Sequence, residues 1–199
     1  MAIAQELRLN AYGHYVFDDK IESYYNSTNY FNGTIRGGFL WGLGVEGRVL
    51  DYYAVEIIYL HQGTTVPVHY YDNRTFGEKS ADLGLKTNWI LACPMRSQRV
   101  NDQVEGYAGA LLGFAILEVN NPENQTAASE VKFAWGFKAG CNIWVAKRFG
   151  IKAQMQLIST VQAAGGSVYF GTGGSGAAVT VYSSILQFSL GGGLIYKLK

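Results

Sequence analysis

Apolar and polar side chains alternate one for one along most of this chain, and no stretch of useful length shows helical spacing. Period two sends successive side chains to opposite faces of a sheet, so the pattern demands strands with one apolar and one polar face. Leu7, Leu9, Ala11 and Tyr15 alternate with Arg8, Asn10, Tyr12 and His14. Ile35, Phe39, Trp41, Leu43 and Val45 alternate with Thr34, Arg36, Gly38, Gly42, Gly44, Glu46 and Arg48. A third run sets Val55, Ile57 and Tyr59 against Ala54 and Glu56. A fourth sets Ala81, Leu83, Leu85 and Trp89 against Asp82, Gly84, Lys86 and Asn88. The fifth, from about Gln103 to Glu118, alternates too poorly for its faces to be read. Clear alternation returns with Val131, Phe133, Trp135, Phe137 and Ile143 against Lys132, Gly136, Lys138, Gly140 and Asn142. Ile151, Ala153, Met155 and Leu157 then oppose Lys152, Gln154 and Gln156. Leu186, Phe188, Leu190, Leu194 and Tyr196 oppose Gln187, Ser189, Gly191 and Gly193.

The connections have a rhythm of their own. Polar stretches at 18–33, 62–79 and 165–176 read as long connections and 120–124 as a loop, with a few residues around Leu50-Asp51, the polar turn Pro94 to Asn101 and the tight turn Lys147-Arg148 between them. Long and short connections strictly alternate. In an up-and-down meander that places all long loops at one end and all short turns at the other, the asymmetry of transmembrane barrels with extracellular loops and periplasmic turns. The second run is long enough to cross a bilayer, which takes ~9–11 tilted residues.

Which face is apolar decides between a soluble and a membrane barrel. The apolar face carries Phe39, Trp41, Trp89, Phe133, Trp135, Phe137 and Phe188, and the other face glycines and charges. Eight strands enclose an interior just wide enough for side chains, and so many wide rings would crowd it. The aromatic face is therefore expected to meet lipid. A lipocalin-like soluble barrel is the alternative, and the glycine-rich, charged opposite face suits an exterior poorly. No apolar run reaches the ~18 residues of a membrane helix; the longest, Tyr107 to Leu117, holds two glycines. The expected fold is all-β: a closed antiparallel up-and-down transmembrane β-barrel of about eight strands, one domain over 1–199.

The segments GGFLWGLGVEGR (37–48), AVEIIYLHQG (54–63), FAWGFKAGCN (133–142) and SLGGGLIYKLK (189–199) carry a family resemblance. The chain resembles small outer-membrane β-barrel proteins of the OmpA/OmpX type, especially the outer membrane protein beta-barrel domain set common in Bacteroidetes. The resemblance implies residence in a Gram-negative outer membrane among lipids and lipopolysaccharide, as a monomer. Many such proteins end on an aromatic residue; here Lys197-Leu198-Lys199 follow Tyr196.

On these faces the lumen is expected to hold Arg8, Arg36, Arg48, Lys86, Lys132, Lys138 and Lys152, with Glu46, Glu56, Asp82 and Glu105 as partners. Buried charges persist only when paired. They form either a salt-bridge network that fills the interior or a narrow, slightly anion-preferring ion path, and the network is favoured. Some small outer-membrane barrels modify lipid A with a histidine, a serine and a carboxylate. The histidines here are His14, His61 and His69, with Ser80, Ser159 and Ser184 as conceivable partners, and nothing in the sequence assembles a triad. No catalytic residue, metal or cofactor is therefore expected. Tyr24, Tyr25, Tyr30, Tyr70 and Tyr71 lie in the long polar segments, either as adaptable contacts for an extracellular ligand or as an interfacial belt. A net charge of +1 without a basic block gives no footprint for nucleic acid. Gly171 to Gly176 lacks the lysine of a phosphate-binding loop. Cys93 and Cys141 have no ligand spacing and are expected to be unpaired. Ala2-Ile3-Ala4 has the form of a signal-peptidase site, so residues 1–4 read as a remnant of cleavage or of the expressed start.

Overall fold

The structure, a computed structural model, describes residues 6–26, 29–72, 77–121, 126–161 and 186–198. They form ten strands: β1 (Glu6–Val16), β2 (Asp19–Asn26), β3 (Asn29–Ile35), β4 (Gly38–Leu50), β5 (Tyr53–Asp72), β6 (Gly77–Arg99), β7 (Val104–Asn121), β8 (Thr126–Trp144), β9 (Phe149–Val161) and β10 (Leu186–Lys197). Eight of them close a ring in the order β4-β1-β10-β9-β8-β7-β6-β5, with β5 pairing back to β4. Every neighbouring pair is antiparallel, and the first and last strands zip together from Arg8 opposite Lys197 to Val16 opposite Ser189. Closure leaves the ring without a free edge, which a bilayer requires of any sheet that spans it.

The short turns are local chemistry. Leu50 and Tyr53 pair across Asp51-Tyr52. Between β6 and β7 the Asn101 side chain accepts the N–H groups of Gln103 (2.9 Å) and Val104 (2.7 Å), an Asx turn. The β8–β9 turn closes through Val145 N–H to the Phe149 carbonyl.

At the other end the structure departs from the expectation of loops. Residues 18–33 contain the β2–β3 hairpin, and β3 docks on β5 with Phe31 opposite Tyr70 and Gly33 opposite Val68. Residues 62–79 are mostly strand, because β5 and β6 run on for 20 and 23 residues. The β-branched and aromatic content of TTVPVHYY (64–71) favours extended backbone, and Pro67 removes one ladder donor without breaking the pairing opposite Asp82. These strands are about twice as long as a bilayer needs, so the wall projects beyond it. Tyr24, Tyr25, Tyr30, Tyr70 and Tyr71 therefore lie on strands. The Pro94 to Asn101 turn is also shorter than expected, since β6 continues to Arg99. Residues 1–4, Ser184 and the 165–176 glycine segment lie outside the described residues.

The outward face carries a continuous apolar belt. Phe39 is 66% exposed and Phe137 58%, with Trp41, Phe133 and Phe188 beside them and Trp135 half-buried. Aromatic rings gather towards both ends of the belt, Tyr52, Tyr53, Phe149 and Tyr196 at the short-turn end and Tyr15, Phe39, Trp41 and Tyr59 at the other. Such an area is far larger than a soluble monomer exposes, and aromatic girdles mark membrane interfaces. The belt faces lipid.

Trp89 corrects the expected lipid face. It is 0% exposed and lies in an interior cluster with Leu60, Leu91, Leu111 and Ile158. The middle of β6 is turned over relative to the expectation: Leu83, Leu85, Trp89 and Leu91 point in, while Asp82 and Lys86 are exposed on the outside. Room for the indole comes from Ala115 and Ala134, both fully buried in the same cluster. An interior with small residues at some positions admits one large ring at another. Truncating Trp89 to alanine should therefore cost ~3–5 kcal/mol, as for a buried aromatic. In vesicles of brominated lipid, Trp41 emission should be quenched and Trp89 emission spared; strong quenching of Trp89 would place it back on the lipid side.

Two further faces differ. Arg36 and Gly37 lie in a break between β3 and β4, and alternation does not carry across it: Ile35 is buried and Arg36 exposed. A Cβ on Gly37 would stand 2.2 Å from the Val16 carbonyl oxygen, so only glycine fits this bend. In β7, whose faces the sequence leaves open, Glu105, Tyr107, Leu111, Ala115 and Leu117 point inward and Leu112 and Phe114 outward.

Candidate functional site: the charged interior

The inward residues of β1, β4, β5, β7, β8 and β9 meet in one ion-pair network towards the short-turn end. Arg8 is fully buried and donates from Nη1 to Glu46 at 3.0 Å and to Glu105 at 3.0 Å, and from Nη2 to the second Glu105 oxygen at 3.2 Å. Its Nε donates to Glu6. Arg48 joins Glu105 at 2.9 Å and donates to Ser97 at 2.9 Å. Asn10 bridges two carboxylates, donating to Glu46 at 3.2 Å and Glu56 at 2.7 Å. Lys152 donates to the Asn10 oxygen at 3.1 Å and pairs with Glu46 at 3.5 Å. Glu56 receives Lys138 and the Tyr12 hydroxyl.

Aromatic rings line the cations. Lys152 stands 4.9 Å from the Tyr107 ring centre and 5.5 Å from that of Tyr12, and Lys138 lies 5.7 and 5.6 Å from the same two rings. Arg8 and Lys197 flank Trp144 at 5.2 and 4.1 Å. Cation–π contacts strengthen when desolvated, so the rings supply part of the solvation lost on burial. Above this layer Tyr107 donates to Gln154 at 2.7 Å. Beyond it the interior divides into the apolar Trp89 cluster and a polar side of Gln156, Ser189, Gln187 and Thr160.

Of the residues expected in the lumen, Arg8, Glu46, Arg48, Glu56, Glu105, Lys138 and Lys152 meet in this network. Lys132 is also buried, and pairs with Glu130 at 2.9 Å. Arg36, Asp82 and Lys86 do not join: they are exposed, through the break after β3 and the turned face of β6. Glu6 and Glu130 enter as partners of Arg8 and Lys132, and Lys197 also pairs with Glu6 at 3.3 Å. Glu6 lies on the same alternating face of β1 as Arg8, one position before the alternation that begins at Leu7, which is the signal that finds it. Tyr12 and Asn10 lie on that face too, and only the three-dimensional pairing shows them as linkers.

His14 and His61 lie on opposite faces of the wall. His14 is buried inside the barrel, with Nδ1 3.5 Å from Ser189 Oγ and Nε2 3.5 Å from Gln154. His61 faces outward on β5, sharing Asn88 Oδ1 with the Tyr59 hydroxyl at 2.8 Å each and lying 5.6 Å from the Trp41 ring. Ser159 is buried on β9, and His69 and Ser80 have no described side chains. Cys93 is buried, Cys141 half-buried, and both are free thiols.

The fold is shared with solved structures. Neisserial surface protein A is 15% identical, with 96% of this chain and 97% of that one aligned at a TM-score of 0.59. The fold is that of the small outer-membrane β-barrels. OprG of Pseudomonas aeruginosa aligns at a TM-score of 0.59 with 11% identity over 98% of this chain and 97% of its own. The outer membrane protease OmpT of Escherichia coli aligns at 0.50, with 7% identity over 98% and 97%. No protein-family model and no curated protein sequence matches the chain. The same fold thus serves a protease as well as other barrels, and function has to be read from residues.

Proposed function

We propose that this chain is an outer-membrane surface protein with a closed, non-conducting lumen, a single domain that acts through its projecting strands as a binding or adhesive scaffold. The observation that carries this reading is the interior network, in which Arg8, Glu46, Glu56, Glu105, Lys138 and Lys152 neutralise one another across the bore. Charges held in mutual bonds offer a passing ion little unsatisfied charge. The long β5–β6 hairpin with β2–β3 on its flank gives an extended surface beyond the lipid, suited to an extracellular ligand. Narrower kinship with the OmpA/OmpX type and its Bacteroidetes set rests on the style of the strands around 37–63 and 133–142, as does monomeric residence among outer-membrane lipids and lipopolysaccharide.

The reading is non-enzymatic. A lipid-modifying histidine needs a serine and a carboxylate beside it at the rim: His14 is enclosed in the barrel, and His61 on the outward face bonds Asn88. A narrow pore is the second reading, favoured by the polar lining formed by Gln154, Gln156, Gln187 and Ser189. Planar-bilayer recording separates the two. Refolded protein should insert and give no discrete conductance steps; reproducible steps that change with Lys138→Gln would establish the pore and overturn the closed scaffold.

A further inference from the structure

A groove crosses the outward surface of β5, β6 and β7 immediately beyond the lipid belt. Its volume is about 460 Å³, and six of its lining residues lie on the outward face: Gly63, Thr65, Gly84, Lys86, Glu118 and Asn120. Its depth comes from missing side chains: a Cβ on Gly63 would meet nothing within 4 Å, and one on Gly84 only Asn120, at 3.7 Å. Lys86 and Glu118 stand opposite each other in the β6–β7 ladder, as do Gly84 and Asn120. Both charged residues are exposed and form no ion pair with each other. The groove is continuous with the belt. One outward step nearer the membrane lie Asn88, His61 and Ile116, followed by Tyr59, Ile90 and Phe114, which face lipid.

We infer that this groove seats the phosphorylated sugar headgroup of an outer-leaflet glycolipid of the lipid A type, held as a fixed lipid of the barrel wall. This rests on the outer-membrane location argued above. The headgroup level of a membrane begins where apolar side chains give way to Trp, Tyr and polar groups. Here the Trp41–Tyr59–His61–Asn88 cluster marks that boundary, with Trp41 and Tyr59 packed edge-on at 6.0 Å. Acyl chains would lie against Ile90 and Phe114, and the sugar would enter the space left by Gly63 and Gly84. The Lys86 ammonium would take the phosphate, since a lysine binds phosphate as a point charge. Thr65, Glu118 and Asn120 offer hydrogen-bonding groups to ring hydroxyls, and the Glu118 carboxylate accepts them strongly. A phosphatidylethanolamine headgroup has no hydroxyls for these three residues to bind, and a glycerol headgroup has two, whereas a phosphorylated sugar presents enough for all three.

The test uses the whole protein in nanodiscs of phosphatidylcholine containing a trace of lipid A, with lipid retained after detergent exchange counted by native mass spectrometry. Wild-type protein should keep one lipid A per barrel. Lys86→Gln should lower retention at least fivefold, and Gly63→Leu, whose Cβ meets nothing within 4 Å and whose longer side chain occupies the groove, should abolish it. Dephosphorylated lipid A should be retained no better than by Lys86→Gln. Far-ultraviolet circular dichroism and unchanged heat-shifted electrophoretic mobility show that each variant is folded. Equal retention by wild type and both variants, or by lipid A with and without phosphate, would overturn the assignment. So would binding of soluble glucosamine phosphate without any retained lipid A.

Discussion

Replacing Glu56 with leucine should cost ~3–5 kcal/mol of stability, the usual result of removing one partner from a buried ion pair. Glu56 is 0% exposed and is the shared acceptor of Lys138, Asn10 and Tyr12. Without it, the Lys138 ammonium keeps its two tyrosine rings but loses its counter-charge. The measurement is urea unfolding from lipid vesicles, followed by tryptophan emission. The double variant Glu56→Gln with Lys138→Met should recover at least half of the loss, because replacing both members leaves no orphaned charge. A loss below ~1 kcal/mol, the range of solvent-exposed pairs, would mean that water reaches and screens the interior. That result would also revive the pore.

The second large effect concerns closure of the ring. Substituting Gly193 with valine should reduce the folded fraction in vesicles more than tenfold, whereas Gly38→Ala should leave it unchanged. A Cβ on Gly193 would lie 1.9 Å from the Ala11 carbonyl oxygen, and one on Gly191 2.3 Å from that of Gly13. Gly192 has the same difficulty on the other side, 2.2 Å from the Lys152 carbonyl. These obstacles are backbone atoms of β1 and β9, which cannot rotate away as a side chain can. Three consecutive glycines thus let β10 approach both neighbours at the seam joining the chain's two ends. Gly38 has nothing within 4 Å, so it controls for loss of glycine in a strand. The check is the share of heat-modifiable, compact protein on electrophoresis; a normal yield for Gly193→Val would mean that the seam is looser than described.

Much of this barrel is legible in the sequence because period two is a strong signal wherever one face meets lipid and the other does not. β1, β4, β8, β9 and β10 show it, and their inward residues include most of the network. β6 was misread for a physical reason. Its interior half is as apolar as lipid, so Leu83, Leu85 and Trp89 look the same whether they face a core or a membrane. The decisive information lay in other strands, in the smallness of Ala115 and Ala134. β7 was unreadable because Gly109 and Gly113 share its inward face with leucines, while Ala108 and Ala110 weaken the outward one. The projecting hairpins were taken for loops because Asn, Ser and Pro signal turns only when the flanking residues do not already favour strands. The outward groove left no period of its own. It is an absence of side chains at Gly63 and Gly84, and strand pairing alone brings those positions together.

The interior bonds join positions far apart in the chain: Arg8 to Glu105 across 97 residues, Glu56 to Lys138 across 82, and Asn10 to Lys152 across 142. None of these can form inside a single hairpin. A partly assembled sheet would therefore leave Glu105, Lys138 and Lys152 without these cross-bore partners on the face about to become its lumen. Arg8 can meet Glu46 as soon as β4 pairs with β1, but its bonds to Glu105 and those of Lys138 and Lys152 to Glu56 and Asn10 wait until the sheet curls far enough to bring distant strands across the bore. A stalled intermediate would therefore carry part of this charge unpaired, a cost that falls only as the ring closes.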